Sequence, residues 1–330
     1  MLSVKSYFVR RLGVAVITFF LASILIFFII QLPPGDFVTY AISQSGDSAG
    51  SAQVAEKMRQ QYGLDRPVYE QYFRWIGGVV RGDLGYSFLY KKPVMELIKS
   101  EFLWTVIITG ISFVLAWAAG MFIGIYSALH KYSIGDHVFT FLGFLGLSIP
   151  PFFLALILIY LLISSGYGIA GGLFSSQFVN APWSLEKVMD LMKHIWIPIA
   201  AISLSNITEV MRIMRGSMIE VMSQPYIMTA RAKGLKKHRV IIRHAVRIAM
   251  NPLISLAGLL APKLISGIVV TAVVLNLPVM GPTFIQALKS QDMYLAGAYL
   301  LLTVILLLAG NLIADLALGW SDPRIRLDSK

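Results

Sequence analysis

The stretch that decides the fold is residues 102–129, FLWTVIITGISFVLAWAAGMFIGIYSAL, which runs for 28 residues without Asp, Glu, Lys or Arg. About 20 apolar helical residues cross the ~30 Å hydrocarbon core of a bilayer, so this stretch predicts a membrane-spanning helix. Residues 12–35 are likewise free of charge for 24 residues. The whole chain of 330 residues is 57% hydrophobic and only 14% charged. An ordinary soluble domain is ~25% charged, so this composition excludes a soluble enzyme.

Four further spans follow from the same criterion. Residues 137–185 carry no Asp, Glu, Lys or Arg, but this stretch is too long for one helix. Its glycine-rich second half predicts an external loop after a span near 138–164. Further spans are predicted to begin near Ile195 and to lie within 251–275 and 293–314. The sequence therefore predicts an all-α integral membrane protein with six transmembrane helices.

The distribution of charge predicts the orientation of these helices. The amino terminus carries +3, the tail after Trp320 carries +1, and residues 209–247 carry nine basic and two acidic side chains. The loops on the opposite side sum to zero, so the excess of +11 lies on one side. Short loops rich in Lys and Arg stay in the cytoplasm, which predicts that both termini are cytoplasmic. The first segment is expected to be a retained helix, because its apolar run exceeds that of a signal peptide.

The polar stretch between the first two spans is large enough for a small external segment. Turn signals there separate short predicted helices at Glu56–Tyr62, Tyr69–Val79 and Val94–Ile98. The predicted organisation comprises a cytoplasmic amino terminus and first helix at 1–30, an external segment at 31–101, a five-helix transmembrane core at 102–320 with a cytoplasmic loop at 216–250, and a cytoplasmic tail at 321–330.

The cytoplasmic loop contains a short helix with clear boundary signals. Ser223 is predicted to cap it, Pro225 fits its first turn, and Gly234 is expected to end it after Tyr226–Ala232. A basic turn and a second amphipathic run follow, with Val240, Ile241, Ala245 and Ile248 as the apolar positions. Two interpretations remain open at this point: the loop lies on anionic lipid, or it presents a shaped surface to a partner protein.

Several motifs along the chain carry a family resemblance. They are LPPGD at 32–36, YGLDRP at 62–67, LSIPPFF at 147–153, TARAKGL at 229–235, RVIIRHAVRIAMNP at 239–252 and DPRIR at 322–326. In this order they resemble the dipeptide and oligopeptide permeases, the B-type permeases of the binding-protein-dependent transport family. These proteins are membrane subunits of ATP-binding-cassette (ABC) importers. The resemblance implies the type I ABC importer permease fold and a multi-pass location in the inner membrane.

The resemblance also implies partners and a coupling site. The expected partners are a second homologous permease subunit, two cytoplasmic ATPase subunits and an external solute-binding protein, besides membrane lipid; no nucleic acid is expected. In that family the short loop helix docks in a groove of the ATPase, so the mechanism implied is ATP-driven alternating access. The residues carried over to this role are Tyr226, Thr229, Ala230, Arg231, Ala232, Lys233, Gly234 and Leu235.

The chain itself lacks the means to bind ATP. It contains no G-x-x-x-x-G-K-[ST] phosphate loop, and the dipeptide Gly-Lys never occurs. It has no cysteine, and its five histidines show no metal-ligand spacing. We therefore expect no catalytic residue, no metal and no cofactor on this chain, with ATP and Mg²⁺ bound by partner subunits. The alternative is a secondary transporter or channel driven by an ion gradient, which would need paired acids within its spans.

The outward end of the fifth span departs from the peptide-permease pattern. The usual acidic residue is absent near Ala272, and Val279 follows Pro278 where glycine is usual. This version resembles permeases of oligosaccharide importers, so peptides and oligosaccharides both remain candidate solutes. Asn276 is a candidate pathway residue. Two interpretations of Lys263 remain open. It is a second pathway residue, because a charge in the membrane normally faces a cavity, or the span begins later and the side chain of Lys263 reaches the membrane interface.

Overall fold

Long helices make up most of the chain. The computed structural model describes residues 4–45, 51–167 and 171–321, with the backbone alone at 4–9, 45, 51–52, 258–266 and 317–321. The longer helices are α1 (Val4–Gln31), α2 (Phe37–Ser45), α3 (Ser51–Tyr62), α4 (Val68–Val80), α5 (Val94–Leu129), α6 (Ile134–Ser148), α7 (Pro151–Ser164) and α8 (Leu185–Met222). They continue with α9 (Pro225–Ala232), α10 (Lys237–Arg239), a π-helix at Val240–Val246, α11 (Arg247–Ala249), α12 (Asn251–Leu275), α13 (Met280–Lys289) and α14 (Met293–Ser321).

Four helices within the described residues are long and apolar enough to cross a bilayer alone. Their spanning parts are Arg10–Gln31, Val94–Leu129, Leu185–Met222 and Met293–Leu316. Three bent helix pairs also qualify when each pair is taken as one span, which gives up to seven spans in the described part of the chain. The range of four to seven includes the six that the sequence predicts, and the all-α membrane architecture is confirmed.

The third predicted span is broken in the middle. Helices α6 and α7 meet at an angle of 100° instead of forming one helix over 138–164. Ile149 takes an extended conformation before the Pro150–Pro151 pair, and Pro151 occupies the first turn of α7. A residue before proline is driven out of the helical region, and proline lacks the N–H that would continue the ladder. The prolines therefore place the break.

The chain divides into two compact units, the first of which holds Val106–Leu277 and parts of both termini. Within it α6, α7, α8 and α12 pack against one another. Helices α5 and α8 approach closely at Gly120 and Gly124, where a Cβ would lie 2.7 Å from Val210 Cβ and 2.8 Å from Met211 O, respectively. Two glycines four residues apart let helix backbones approach closely in a membrane, which explains this contact.

The second unit holds Val9–Thr105 and Pro278–Leu306. Two of the short helices predicted between the first spans are present as α3 and α4, and α2 precedes them. The expected separate helix at Val94–Ile98 is wrong, because Val94 begins the 36-residue helix α5 without interruption. A two-residue antiparallel ladder, Tyr86–Ser87 with Lys92–Pro93, closes the turn before α5.

Two carboxylates hold this second unit together. Asp292 is fully buried; it accepts hydrogen bonds from Ser87 Oγ at 2.6 Å and Leu89 N at 3.0 Å and caps the start of α14 through Leu295 N. Burial raises the pKa of Asp292 and these hydrogen bonds oppose that rise. Asp36 binds Arg59 at 2.6 Å. Burial alone would raise the pKa of Asp36, but hydrogen bonds from Arg59 and the backbone bring it below its ordinary value.

Candidate functional site

The candidate site is the loop helix α9, whose boundaries follow from its sequence. Gln224 precedes it with an extended backbone, Pro225 occupies its first turn, and Gly234 turns the chain away with a φ of +74°. A left-handed φ is costly for any residue with a Cβ, which explains glycine there. The expected cap at Ser223 is wrong, because its hydroxyl donates to Glu220 O at 2.7 Å and closes the preceding helix α8 instead.

One face of α9 is anchored in the protein. Ile227 is completely buried and Ala230 is 7% exposed. Both belong to an apolar cluster with residues of α8, the π-helix, α11 and α12: Val210, Met214, Met218, Val221, Val240, Ala245, Ala249 and Leu253. A helix of eight residues is too short to be stable alone, so this cluster fixes both its position and its orientation. The helix is therefore rigidly attached to the end of α8.

The remaining surface of α9, its outward face, is open. Tyr226 is 40% exposed and Met228 is 59% exposed, although both side chains are apolar over most of their surface. The other exposed positions of this face and of the turn after it are Thr229, Arg231, Ala232, Lys233 and Gly234, and Leu235 is half-buried. Partial desolvation raises the pKa of the Tyr226 phenol above its ordinary value. The open face thus combines two large apolar side chains with two cations.

The structure divides the predicted site residues between these faces. Ala230 is buried in the apolar cluster, and Tyr226, one helical turn earlier, is 40% exposed at the edge of the buried face. The inward pair is Ile227 and Ala230, spaced three residues apart, and the sequence reasoning missed both Ile227 and the exposed Met228. The i, i+3 spacing of Ile227 and Ala230 is consistent with one buried face, but eight residues are too few for that spacing to identify it.

An ion pair joins α6 to α8, the helix that leads into α9. Asp136, at the start of α6, is 2% exposed. It accepts two hydrogen bonds from Arg215 of α8, at 2.9 Å to Nε and 2.7 Å to Nη2, and a third from the backbone of Tyr132 at 3.0 Å. Such a bidentate pair fixes geometry as well as charge. It ties α6 to α8 at a position nearly three helical turns before α9 begins.

The segment after α9 contains an unusual π-helix at Val240–Val246. Val240, Ala245 and Ala249 face inward, while Ile242 and Ile248 are 66% and 42% exposed. The predicted apolar face included Ile248, and that assignment is wrong. A π-turn holds more residues than an α-turn, so it shifts the inward register to positions 240, 245 and 249.

The two candidate pathway positions lie on α12. This helix begins at Asn251, so position 263 lies twelve residues inside it, about 18 Å along the axis. The side chain of Lys263 lies outside the described residues, and its direction stays a prediction. Asn276 ends the helix with a left-handed backbone, φ +52°, and its side chain is exposed.

Nothing among the described side chains resembles a metal centre, since no three His, Asp or Glu residues there are placed to hold an ion. The site is instead a surface element whose chemistry is that of contact: apolar side chains, two cations and a fixed helix. Such an element can bind a partner and transmit its movement to the helices behind it.

Comparison with known proteins accounts for nearly the whole chain. Residues 120–327 match the family described as the binding-protein-dependent transport system inner membrane component, and residues 4–109 match its N-terminal component. The oligopeptide transport system permease protein AppB of Bacillus subtilis is 34% identical, covering 97% of this chain and 99% of the relative. The dipeptide permease protein DppB of Escherichia coli K12 is 31% identical over 97% and 98% of the two chains. The glutathione permease protein GsiC of E. coli O6:H1 is also 31% identical, over 97% and 99%.

These relatives support an ABC permease and not the ion-gradient alternative. Permease subunits of ABC transporters are not themselves enzymes. Since two family matches together cover most of the sequence, the chain belongs to the binding-protein-dependent transport system inner membrane component family: it is the permease subunit of an ABC importer, with the type I permease fold.

Proposed function

We propose that this chain pairs with a second homologous permease to form a pathway for short peptides. An external solute-binding protein delivers the peptide, and two cytoplasmic ATPase subunits, which bind ATP and Mg²⁺, drive transport. The names of the relatives support peptides, since they are an oligopeptide, a dipeptide and a glutathione permease. The resemblance of residues 272–279 to permeases of oligosaccharide importers makes oligosaccharides the second class of solute.

The coupling element in this proposal is α9. Its outward face, with Tyr226 and Met228, provides the apolar contact that a partner groove would bury. Its inward face is locked by Ile227 and Ala230, so a force applied to α9 reaches α8 without first being absorbed by the loop. This combination of an open outer face and a fixed inner face is the observation that carries the proposal.

The orientation follows from charge. With the basic loop at 209–247 in the cytoplasm, both termini are cytoplasmic and residues 31–101 form the external segment. Asn276 then lies at the outward end of α12, and Lys263 lies near the middle of the membrane. We propose both as pathway residues.

A pull-down of the ATPase with variants of the tagged permease tests the coupling element. Tyr226→Glu and Met228→Glu place a carboxylate on the outward face, where burial against a partner would be costly. Tyr69→Glu is the matched control, because Tyr69 is 63% exposed on α4, outside the cytoplasmic loop. We expect the first two variants to retain less than a tenth of the ATPase and the control to retain all of it. All three should keep the melting temperature of the unaltered permease.

The outcome that contradicts the proposal is equally specific. If both α9 variants retain the ATPase and transport at the unaltered rate, this face is not the docking element. The solute class is tested separately, by the ATPase activity of the complete importer in liposomes. We expect binding protein loaded with short peptides to stimulate it, and no stimulation with oligosaccharides.

A further inference from the structure

A second feature of the same loop is a cavity beside α9, with a volume of about 490 Å³. Its walls come from the end of α5, the end of α8, the turn after α9 and the first residues of the segment that follows. The lining residues are Ala128, Leu129, Met222, Arg231, Leu235, Lys237, Val240 and Ile241. The volume is within the range of small-molecule sites, which occupy roughly 300–1,000 Å³.

The lining is amphiphilic. Arg231 and Lys237 are its two charged residues, both are exposed, and neither forms an ion pair within residues 4–45, 51–167 and 171–321. No acidic residue lines the cavity, and the other six lining residues are apolar. Two cations without an ion pair, together with six apolar side chains, match a ligand that carries a phosphate at one end and hydrocarbon at the other.

The position of the cavity identifies the source of such a ligand. Residues 102–129 are uncharged for 28 residues and helical throughout. At 1.5 Å per residue they extend about 42 Å, close to the ~40–45 Å thickness of a bilayer with its headgroups. Leu129, the last residue of this helix, therefore lies in the headgroup layer, and so does the cavity that it lines.

The neighbouring surface has the same character. Ile242 and Ile248 are exposed on the π-helix and α11, and each is next in the chain to an exposed cation, Arg243 or Arg247. Alternating basic and apolar side chains are typical of a segment that lies at a membrane interface. Juxtamembrane Lys and Arg clusters of this kind attract anionic lipids.

We propose that this cavity is a binding site for an anionic phospholipid. Arg231 and Lys237 hold the headgroup phosphate, and Leu129, Leu235 and Ile241 contact the glycerol and the upper acyl chain. One wall belongs to α9 itself, so the bound lipid fixes the carboxyl end of the coupling element. The assignment goes beyond the proposed function, since it needs neither the ATPase nor a solute.

Native mass spectrometry of the purified full chain in neutral detergent tests the site. Phosphatidylglycerol is titrated against the unaltered chain and against Lys237→Gln and Lys236→Gln. These two variants lose the same charge at adjacent exposed positions, but Lys236 does not line the cavity. One lysine near an anionic lipid contributes about fivefold in affinity. We expect Lys237→Gln to weaken binding by about that factor and Lys236→Gln by less than twofold.

A second variant removes space instead of charge. Ala128 is half-buried in the cavity wall, and Ala128→Phe fills the site without altering any cation. We expect this variant to lose the tightest-bound phosphatidylglycerol while the weakly bound annular lipid stays. Tyr226→Glu, which is designed to break ATPase docking, should keep the lipid, so failure of the lipid site is distinguishable from failure of the coupling proposal.

Four results would overturn the assignment. Phosphatidylcholine binding as tightly as phosphatidylglycerol would remove the need for an anionic headgroup. Equal losses in Lys236→Gln and Lys237→Gln would indicate general attraction to a charged surface. Undiminished lipid binding by Ala128→Phe would place the lipid elsewhere. Glycerol phosphate competing at the concentration of the whole lipid would show a site for a soluble anion instead.

Discussion

The ion pair between Asp136 and Arg215 allows a quantitative prediction about stability. Arg215→Met keeps the aliphatic stem and deletes the guanidinium, so Asp136 loses two hydrogen bonds and keeps the backbone N–H of Tyr132. Removing one partner of a buried pair costs about 3–5 kcal/mol because it leaves an uncompensated charge. Asp136 is 2% exposed and Arg215 is 27% exposed. Water reaches the pair from the arginine side alone, which favours the lower end of that range, about 3 kcal/mol.

The reciprocal change should cost less. Asp136→Asn leaves a cation that is partly exposed and can turn toward water, so the expected loss is about 1–2 kcal/mol. The double variant should be more stable than the sum of the two single losses predicts, by about 2 kcal/mol, because the two groups interact directly. Arg212→Met is the matched control: Arg212 lies on the same helix, is exposed, and has no ion pair among the described residues.

Equilibrium unfolding in mixed micelles of a mild detergent and sodium dodecyl sulfate measures these differences. Three results would contradict the prediction: a stability of Arg215→Met within 0.5 kcal/mol of the unaltered protein, an equal loss in Arg212→Met, or additive losses in the double variant. The limit of 0.5 kcal/mol is about the scatter expected of a surface substitution.

Three further perturbations follow from the described contacts. Gly124→Ala should lower the free energy of unfolding by about 1–3 kcal/mol, because the new Cβ would lie 2.8 Å from a backbone oxygen of α8. Its control is Gly110→Ala on the same helix, where a Cβ meets nothing within 4 Å, so this change should be neutral or stabilising by up to ~1 kcal/mol. Equal thermal stability of the two variants would contradict the close approach of α5 and α8. Asp292→Ala leaves three buried hydrogen-bond donors without their acceptor and removes the cap of α14. The free energy of unfolding should fall by about 3 kcal/mol in the same unfolding assay, and a fall below 1 kcal/mol would contradict this prediction. The stabilisation from Asp36 is complete above its unfolded pKa of about 3.9 and is lost as pH falls through its folded pKa, which is lower. Arg59→Gln should therefore move the pH at which the protein becomes sensitive to protease, on acidification, to a higher value. An unchanged pH of onset would show that the Asp36–Arg59 pair contributes nothing to stability.

The sequence predicted the elements that depend on local chemistry. Membrane helices follow from length and the absence of charge, as at 102–129, since a buried charge in lipid is costly wherever it lies. The bounds of α9 were predicted to within one residue, because Pro225 and Gly234 fix the backbone through their own stereochemistry. The family was predicted from motifs that extend along most of the chain, and the matches confirm it.

Other features were decided by tertiary packing. The buried side of α9 carries Ile227 and Ala230, and eight residues make too few turns for a periodicity to identify that side. The partner of Arg215 is Asp136, 79 residues earlier in the chain, and no local pattern connects them. The register of the segment after α9 is shifted by a π-helix at Val240–Val246, whose Val240 and Ala245 lie in the apolar cluster with Ile227.

The division has a single physical origin. Three effects depend on each segment by itself: the free energy of transfer into lipid, the residues that begin and end a helix, and the bias of positive charge toward one side. They can therefore be predicted from the sequence. Which faces meet, and which cation reaches which carboxylate, depends on how α6, α8 and α12 pack together. Packing is a property of the assembled helices, and here it alone determined which side of α9 is buried and which is exposed.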